Sequence, residues 1–143
     1  MDVNLKAPFL CSQHAARMMR VQGSGKIINI ASVHAHAPKR NFAPYSCSKS
    51  GLEMLTKCMA LELAEYNIQV MAIIAGAIAT DMTPPDRSES LLTSIPAGRI
   101  GEVTEIANLV AFLSSDKSDY LTGGSIVADG GLTLGFCATR SDL

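Results

Sequence analysis

The chain reads as an α/β protein, a three-layer doubly wound parallel sheet. Three features predict this. Short apolar runs rich in β-branched residues alternate with amphipathic helical stretches. The element order is α-β-α-β-α-β, and a helix joins each strand to the next, which implies parallel pairing through right-handed crossovers. The reading gives three strands and three main helices. A sheet this small, in a chain that opens on a helix, is read as incomplete, with its amino-terminal half absent.

Each element has a local signal. From Val3 to Arg20, Leu5, Phe9, Leu10, Ala15, Met18 and Met19 recur roughly at helical spacing. Gly23-Ser24-Gly25 breaks that helix. The run Ile27-Ile28-Asn29-Ile30-Ala31 is a short strand with both faces covered. A loop from Val33 to Ala43 follows. Pro44 suits a first helical turn, where its missing N–H costs nothing. The helix it opens runs to about Tyr66, with Leu52, Leu55, Met59 and Leu63 on one face. Gly51 inside it points to close helix packing, since glycine there costs about 1 kcal/mol relative to alanine. Ile68 to Ile74 is the second strand. Gly76–Gly98 is irregular, rich in Thr, Pro and Ser, with a short helix near Ser88–Ser94. A helix from Val103 to Ser114 turns Ile106, Leu109, Val110 and Leu113 inward, and Ser125–Ala128 is the last strand.

Composition narrows the function classes. The 143 residues carry a net charge of −1 and suit a single domain. No basic field marks a nucleic-acid partner. No apolar run approaches the roughly 20 residues of a membrane helix, so no membrane partner is expected. The start, Met1-Asp2-Val3-Asn4-Leu5-Lys6, lacks the order of a secretion signal. Cys11, Cys47, Cys58 and Cys137 show no metal-ligand spacing and read as reduced thiols of a cytoplasmic protein. His34 and His36 lack a third ligand, so no metal is expected and a solvated loop is the reading, with His34 lining a substrate cleft. Gly23-Ser24-Gly25-Lys26 precedes a strand and does not open a helix, so it is not read as a phosphate loop.

The chemistry gathers at Tyr45-Ser46-Cys47-Ser48-Lys49. Residues i and i+4 share a helical face. A free phenol has a pKa near 10, and a fixed cation beside it favours the phenolate. Such a pair can exchange a proton with an alcohol or carbonyl oxygen. Taken alone the spacing is weak and better fits a surface tyrosine lying along a lysine stem. Ser32 adds weight. It ends the first strand thirteen residues before Tyr45, and open α/β sheets bind ligands at that end.

Together these residues resemble the short-chain dehydrogenase/reductase family, across nearly the whole chain. Asp2-Val3-Asn4-Leu5-Lys6 resembles the helix bearing the family's catalytic asparagine. Lys26 to Ser32 resembles the strand bearing its serine. Gly76-Ala77-Ile78-Ala79-Thr80 resembles its nicotinamide-side loop. Gly98-Arg99-Ile100-Gly101-Glu102, Tyr120-Leu121-Thr122-Gly123 and Asp129-Gly130-Gly131 resemble its last helix–strand unit. The resemblance implies the carboxy-terminal half of a single Rossmann-like dehydrogenase domain over residues 1–143. It implies an NAD(P)-dependent oxidoreductase acting on a secondary alcohol or sugar hydroxyl or its carbonyl. Tyr45 would be the general acid/base, Lys49 its electrostatic partner and ribose ligand, Ser32 the group orienting the substrate oxygen, and Asn4 the holder of a relay water. Ala75, Gly76, Ile78 and Thr80 would join Tyr45 and Lys49 in holding NAD or NADP. The substrate would be a small alcohol or sugar touching Ser32 and His34. The two long helices would form the interface of a homodimer or homotetramer. Ser32-Val33-His34, Phe42, Asp129-Gly130-Gly131-Leu132-Thr133 and the following tail are similar to bacterial glucose 1-dehydrogenases within the family.

The sequence also departs from the pattern. Ala75 stands where the family usually has proline, losing a fixed φ. Met71 replaces a usual asparagine, removing one buried polar anchor. The loop after Thr80, with Pro84-Pro85, reads as the substrate lid. The glycine-rich turn that holds the pyrophosphate, and the residue that chooses NAD or NADP, have no counterpart in these residues. A catalytically inactive truncated fragment is therefore the alternative reading, and a small flavodoxin-like binding module a third.

Overall fold

A computed structural model describes residues 1–83 and 91–134. The first helix comes in two pieces. A π-helical turn, Asp2–Lys6, runs into α1, Ala7–Gln22. Gly23 ends α1 in the left-handed region at φ 75°, where a side chain would be strained, and its N–H donates to the Met19 carbonyl. Strand β1 spans Gly25–Ser32, and Val33–Ala35 forms a 3-10 turn inside the expected loop. Helix α2 covers Ala43–Leu63 and tightens into a 3-10 turn at Ala64–Tyr66. Strand β2 is Ile68–Ala75, α3 is Val103–Leu113 and β3 is Ser125–Ala128. The short helix expected near Ser88–Ser94 falls largely outside the described residues, as do the Pro84-Pro85 lid, Cys137 and the tail.

The sheet has the order β1-β2-β3, all parallel. Gly25 pairs with Ile68 and Ser32 with Ala75, so the carboxyl ends of β1 and β2 finish side by side. Alternate side chains sort onto the two faces. Ile27, Ile68 and Val70 pack with Met19, Leu55, Met59, Ala60 and Leu63 from α1 and α2. Ile28, Met71 and Ile73 pack on Ile106, Leu109, Val110 and Leu113 of α3. This is the three-layer, doubly wound arrangement the alternation predicted. Ile68, Val70, Ala72, Ile73 and Ile74 are fully inaccessible, as expected of a central strand covered on both sides.

The inward face of α1 differs from expectation. Its buried residues are Ser12 and Ala16, while Phe9, Leu10 and Met18 are 44%, 42% and 70% exposed. Small side chains let α1 approach its neighbours, and the larger apolar groups are displaced outward. Gly51 does permit close packing: a Cβ there would lie 2.9 Å from a methyl of Leu5. Met71 fills its position by apolar packing. A polar anchor survives elsewhere, where buried Asn29 donates to Thr56 Oγ1 at 2.9 Å and joins β1 to α2.

Candidate active site

The site is built where β1 and β2 end. Ser32 is the last residue of β1 and caps the 3-10 turn. Its Oγ accepts the His34 N–H at 3.2 Å, which leaves its own hydroxyl hydrogen without an acceptor among the described residues. Tyr45 and Lys49 sit in the first two turns of α2, which begins with proline in its first turn. The Lys49 ammonium lies 5.8 Å from the centre of the Tyr45 ring and donates to the Ile30 carbonyl at 2.9 Å. Burial pulls the Lys49 pKa below its ordinary value, because a low-dielectric setting disfavours the charged form. Tyr45, Phe42 and His34 form an edge-on aromatic cluster. Tyr45 and His34 ring centres are 6.2 Å apart, and Phe42 lies 5.9 Å from Tyr45 and 5.2 Å from His34.

Asn4, expected to hold a relay water toward Lys49, also touches this helix directly. Its amide donates to Ser48 Oγ at 3.3 Å, and Ser48 donates to the Tyr45 carbonyl at 2.6 Å. Asn4 therefore touches the turn that carries Tyr45, through the fully buried Ser48, and its amide hydrogen bond is not to Lys49. Ser48 was not singled out from sequence; its signal is a small hydroxyl three residues after Tyr45, on the side of the helix that meets the π-helical turn.

On the β2 side, Ala75 pairs with Ser32, and the Gly76 N–H donates to the Ala128 carbonyl. A Cβ at Gly76 would stand 2.6 Å from the Asp129 backbone, so glycine there serves the close approach of β2 and β3. Ile78 forms an isolated parallel bridge with Gly101. Gly101 donates to the Ala77 carbonyl and accepts from the Ala79 N–H, so the Ile78 N–H is left without a partner among the described residues. The Ile78 carbonyl receives a long 3.4 Å contact from the Thr80 hydroxyl. Two further groups hold this region, and neither was read as a support from sequence. Arg99 makes a bidentate pair with Glu105, which also caps α3. Asp129 accepts from the Gly131 and Thr133 N–H groups and the Thr133 hydroxyl, ordering the turn after β3. The Asp-Gly-Gly signal with a threonine four residues on was the available clue for that turn.

His36 is no free loop residue. Its Nε2 lies 2.5 Å from the buried Glu53 carboxylate, which also meets Ser125 Oγ at 3.0 Å and Lys57 at 3.3 Å. No cluster of three metal-ligating side chains occurs among the described residues. No helix there is long and apolar enough to cross a membrane.

A family profile described as enoyl-(acyl carrier protein) reductase matches residues 1–133, and the chain belongs to the short-chain dehydrogenase/reductase family. The 3-oxoacyl-(acyl-carrier-protein) reductase FabG of Staphylococcus aureus is 45% identical over 134 residues, covering 92% of this chain and 54% of that protein. The acetoin dehydrogenase YohF of Salmonella typhimurium is 46% identical with a TM-score of 0.84, over 93% of this chain and 53% of that one. A gluconate 5-dehydrogenase from Burkholderia cenocepacia, solved with NADP and tartrate, is 38% identical with a TM-score of 0.89, over 94% and 55%. The chain thus spans about half the length of the relatives it matches. These relatives support the family but not the narrower likeness to glucose 1-dehydrogenases.

Proposed function

We propose that residues 1–143 carry the proton-transfer part of an NAD(P)-dependent oxidoreductase acting on a secondary alcohol or sugar hydroxyl and the matching carbonyl. The observation that supports this most is the placement of Tyr45 and Lys49 one helical turn apart beside the end of β1, where the Ser32 hydroxyl hydrogen has no acceptor among the described residues. Ser32 would donate that hydrogen to the substrate oxygen. In the reducing direction the carbonyl carbon receives a hydride, the C=O π pair moves onto oxygen, and the Tyr45 phenol gives that oxygen its proton. Lys49 favours the phenolate that remains and offers its ammonium to the cofactor ribose. Asn4, through Ser48, fixes the turn that carries Tyr45, and belongs to the same catalytic set.

The nicotinamide, when bound, supplies or accepts the hydride. The residues present fit its carboxamide end. The Ile78 N–H is unpaired among the described residues, and the loop of Ala75, Gly76, Ile78 and Thr80 starts beside Ser32. Among the described residues no glycine-rich turn opens a helix toward a pyrophosphate, since Gly23-Ser24-Gly25-Lys26 closes α1 and enters β1. NAD and NADP are both compatible with these residues, and the Burkholderia relative was solved with NADP. Relatives named for 3-oxoacyl, acetoin and gluconate substrates frame the substrate range. A homodimer or homotetramer belongs to the same proposal. Phe9, Met18 and Val21 on α1, and Met54 and Leu61 on α2, leave apolar surface exposed along both long helices.

Turnover tests the proposal. The active protein containing this chain should couple oxidation of NADH or NADPH to reduction of a ketone, with one reduced nicotinamide consumed per alcohol formed. No coupled consumption with either cofactor, over acyloins, sugar acids and 3-oxoacyl thioesters, would contradict it.

A further inference from the structure

The turn after β1 is strapped to α2 by side chains that the proposed chemistry does not use. Val33–Ala35 follows Ser32 directly, and the His34 N–H donates to the Ser32 hydroxyl oxygen. From α2, the Ser50 hydroxyl donates to the Ala35 carbonyl at 2.7 Å. Three residues further along α2, one oxygen of the Glu53 carboxylate accepts from His36 Nε2 at 2.5 Å. That carboxylate is itself held. Its other oxygen meets Ser125 Oγ from β3 at 3.0 Å and Lys57 at 3.3 Å. The bonds from the His36 and Ala37 N–H groups to the Val33 carbonyl are internal to the turn and do not tie it to α2. The His34 ring also leans on Tyr45, but an edge-on ring contact fixes distance less sharply than a charge-assisted hydrogen bond. Burying a carboxylate is costly even when it is paired, and apolar contact often joins two segments as well. What the hydrogen-bonded clamp adds is a set distance and direction.

We infer that His36 and Glu53 are a positioning pair, supported by Ser50, which sets the reach of the Ser32 hydroxyl relative to the Tyr45 phenol. The inference rests on the site proposed above and adds to it the groups that keep Ser32 and Tyr45 in register. The helix that carries Tyr45 and Lys49 also carries Ser50 and Glu53. The turn that these two grip begins at Ser32. Proton transfer needs its heavy atoms at about 3 Å, and a misplacement of about 1 Å can cost about a hundredfold in rate. His36 and Glu53 therefore act through Ser32 and not on the substrate.

Kinetics of the active protein containing this chain test the pair. The His36 side chain is 44% exposed, so its substitution spares the core. His36→Leu removes the clamp, whereas His36→Gln keeps an N–H donor for the carboxylate. His36→Leu should lower kcat about tenfold with cofactor affinity unchanged, and His36→Gln should restore most of it. The sharper readout is a double-mutant cycle with Ser32→Ala. Once the Ser32 hydroxyl is gone the clamp has nothing left to orient, so His36→Leu should cost no further turnover. Ser50→Ala loosens the same turn through its second strap and should behave alike in the cycle. A wild-type kcat in His36→Leu, or losses that multiply in the His36→Leu/Ser32→Ala double variant, would make the pair merely structural and overturn this inference while the site stands. Full turnover in Ser32→Ala would remove Ser32 from the reaction, and with it both the proposed site and this inference.

Discussion

Lys49 is pulled two ways. Burial disfavours its charge, while the Ile30 carbonyl and the Tyr45 ring give that charge something to face. Its pairing with Tyr45 was legible from sequence, because a spacing of four on a helix fixes which side chains share a face. Its bond to Ile30 was not, since nothing local in the sequence specifies a carbonyl nineteen residues back. Glu53 shows the same limit. It reads as one more helix carboxylate, yet it meets Ser125 from seventy-two residues away and His36 from the loop after β1. Burial raises the Glu53 pKa, but hydrogen bonds from His36, Ser125 and Lys57 outweigh this and hold it below its ordinary value. A group whose folded pKa is depressed stabilises the fold above its unfolded pKa, and that contribution fades as pH falls through the folded value. Glu53→Gln should therefore cost about 1.5 kcal/mol near neutrality, the lower end of the scale of hydrogen bonds to a charged group. In urea unfolding, the gap from wild type should close in acid below the folded pKa. A gap independent of pH would contradict the network.

At the scale of elements, strands were the most legible. Their β-branched runs leave little choice, and the three lie within a few residues of expectation. Helix α1 was legible as a helix but not in its orientation. Periodicity reports an apolar stripe without saying what that stripe faces, and Ser12 and Ala16 make the close contact. The packing of the π-helical turn on α2 rests on Gly51 and Leu5, and a double-mutant cycle can isolate it. Alanine at position 51 should add about 1 kcal/mol of helix propensity, but its Cβ would press on the Leu5 methyl. Gly51→Ala should thus be near neutral in wild type and stabilising by about 1 kcal/mol in a Leu5→Ala background. Equal effects in both backgrounds would mean that Leu5 does not set the helix approach.

Over the whole molecule, three parallel strands bring Ser32, Ala75 and α2 to one end of the sheet, and that convergence is what joins the motifs. Their order along the chain made the site readable. The aromatic cluster and the Asn4–Ser48 contact needed the folded chain, since they depend on how helices cross. The same convergence has a boundary, because on the proposed reading these residues would meet the nicotinamide end of a cofactor, while the described residues provide no glycine-rich turn for its phosphates. Residues 1–143 by themselves should bind NAD(H) or NADP(H) weakly in a calorimetric titration, and micromolar binding would show that these residues do hold the cofactor phosphates. The central claim is that Tyr45 transfers the proton. In the active protein containing this chain, Tyr45→Phe should lower kcat about a hundredfold or more, as expected for loss of a general acid/base, with cofactor affinity preserved. Turnover retained by that variant would contradict the account.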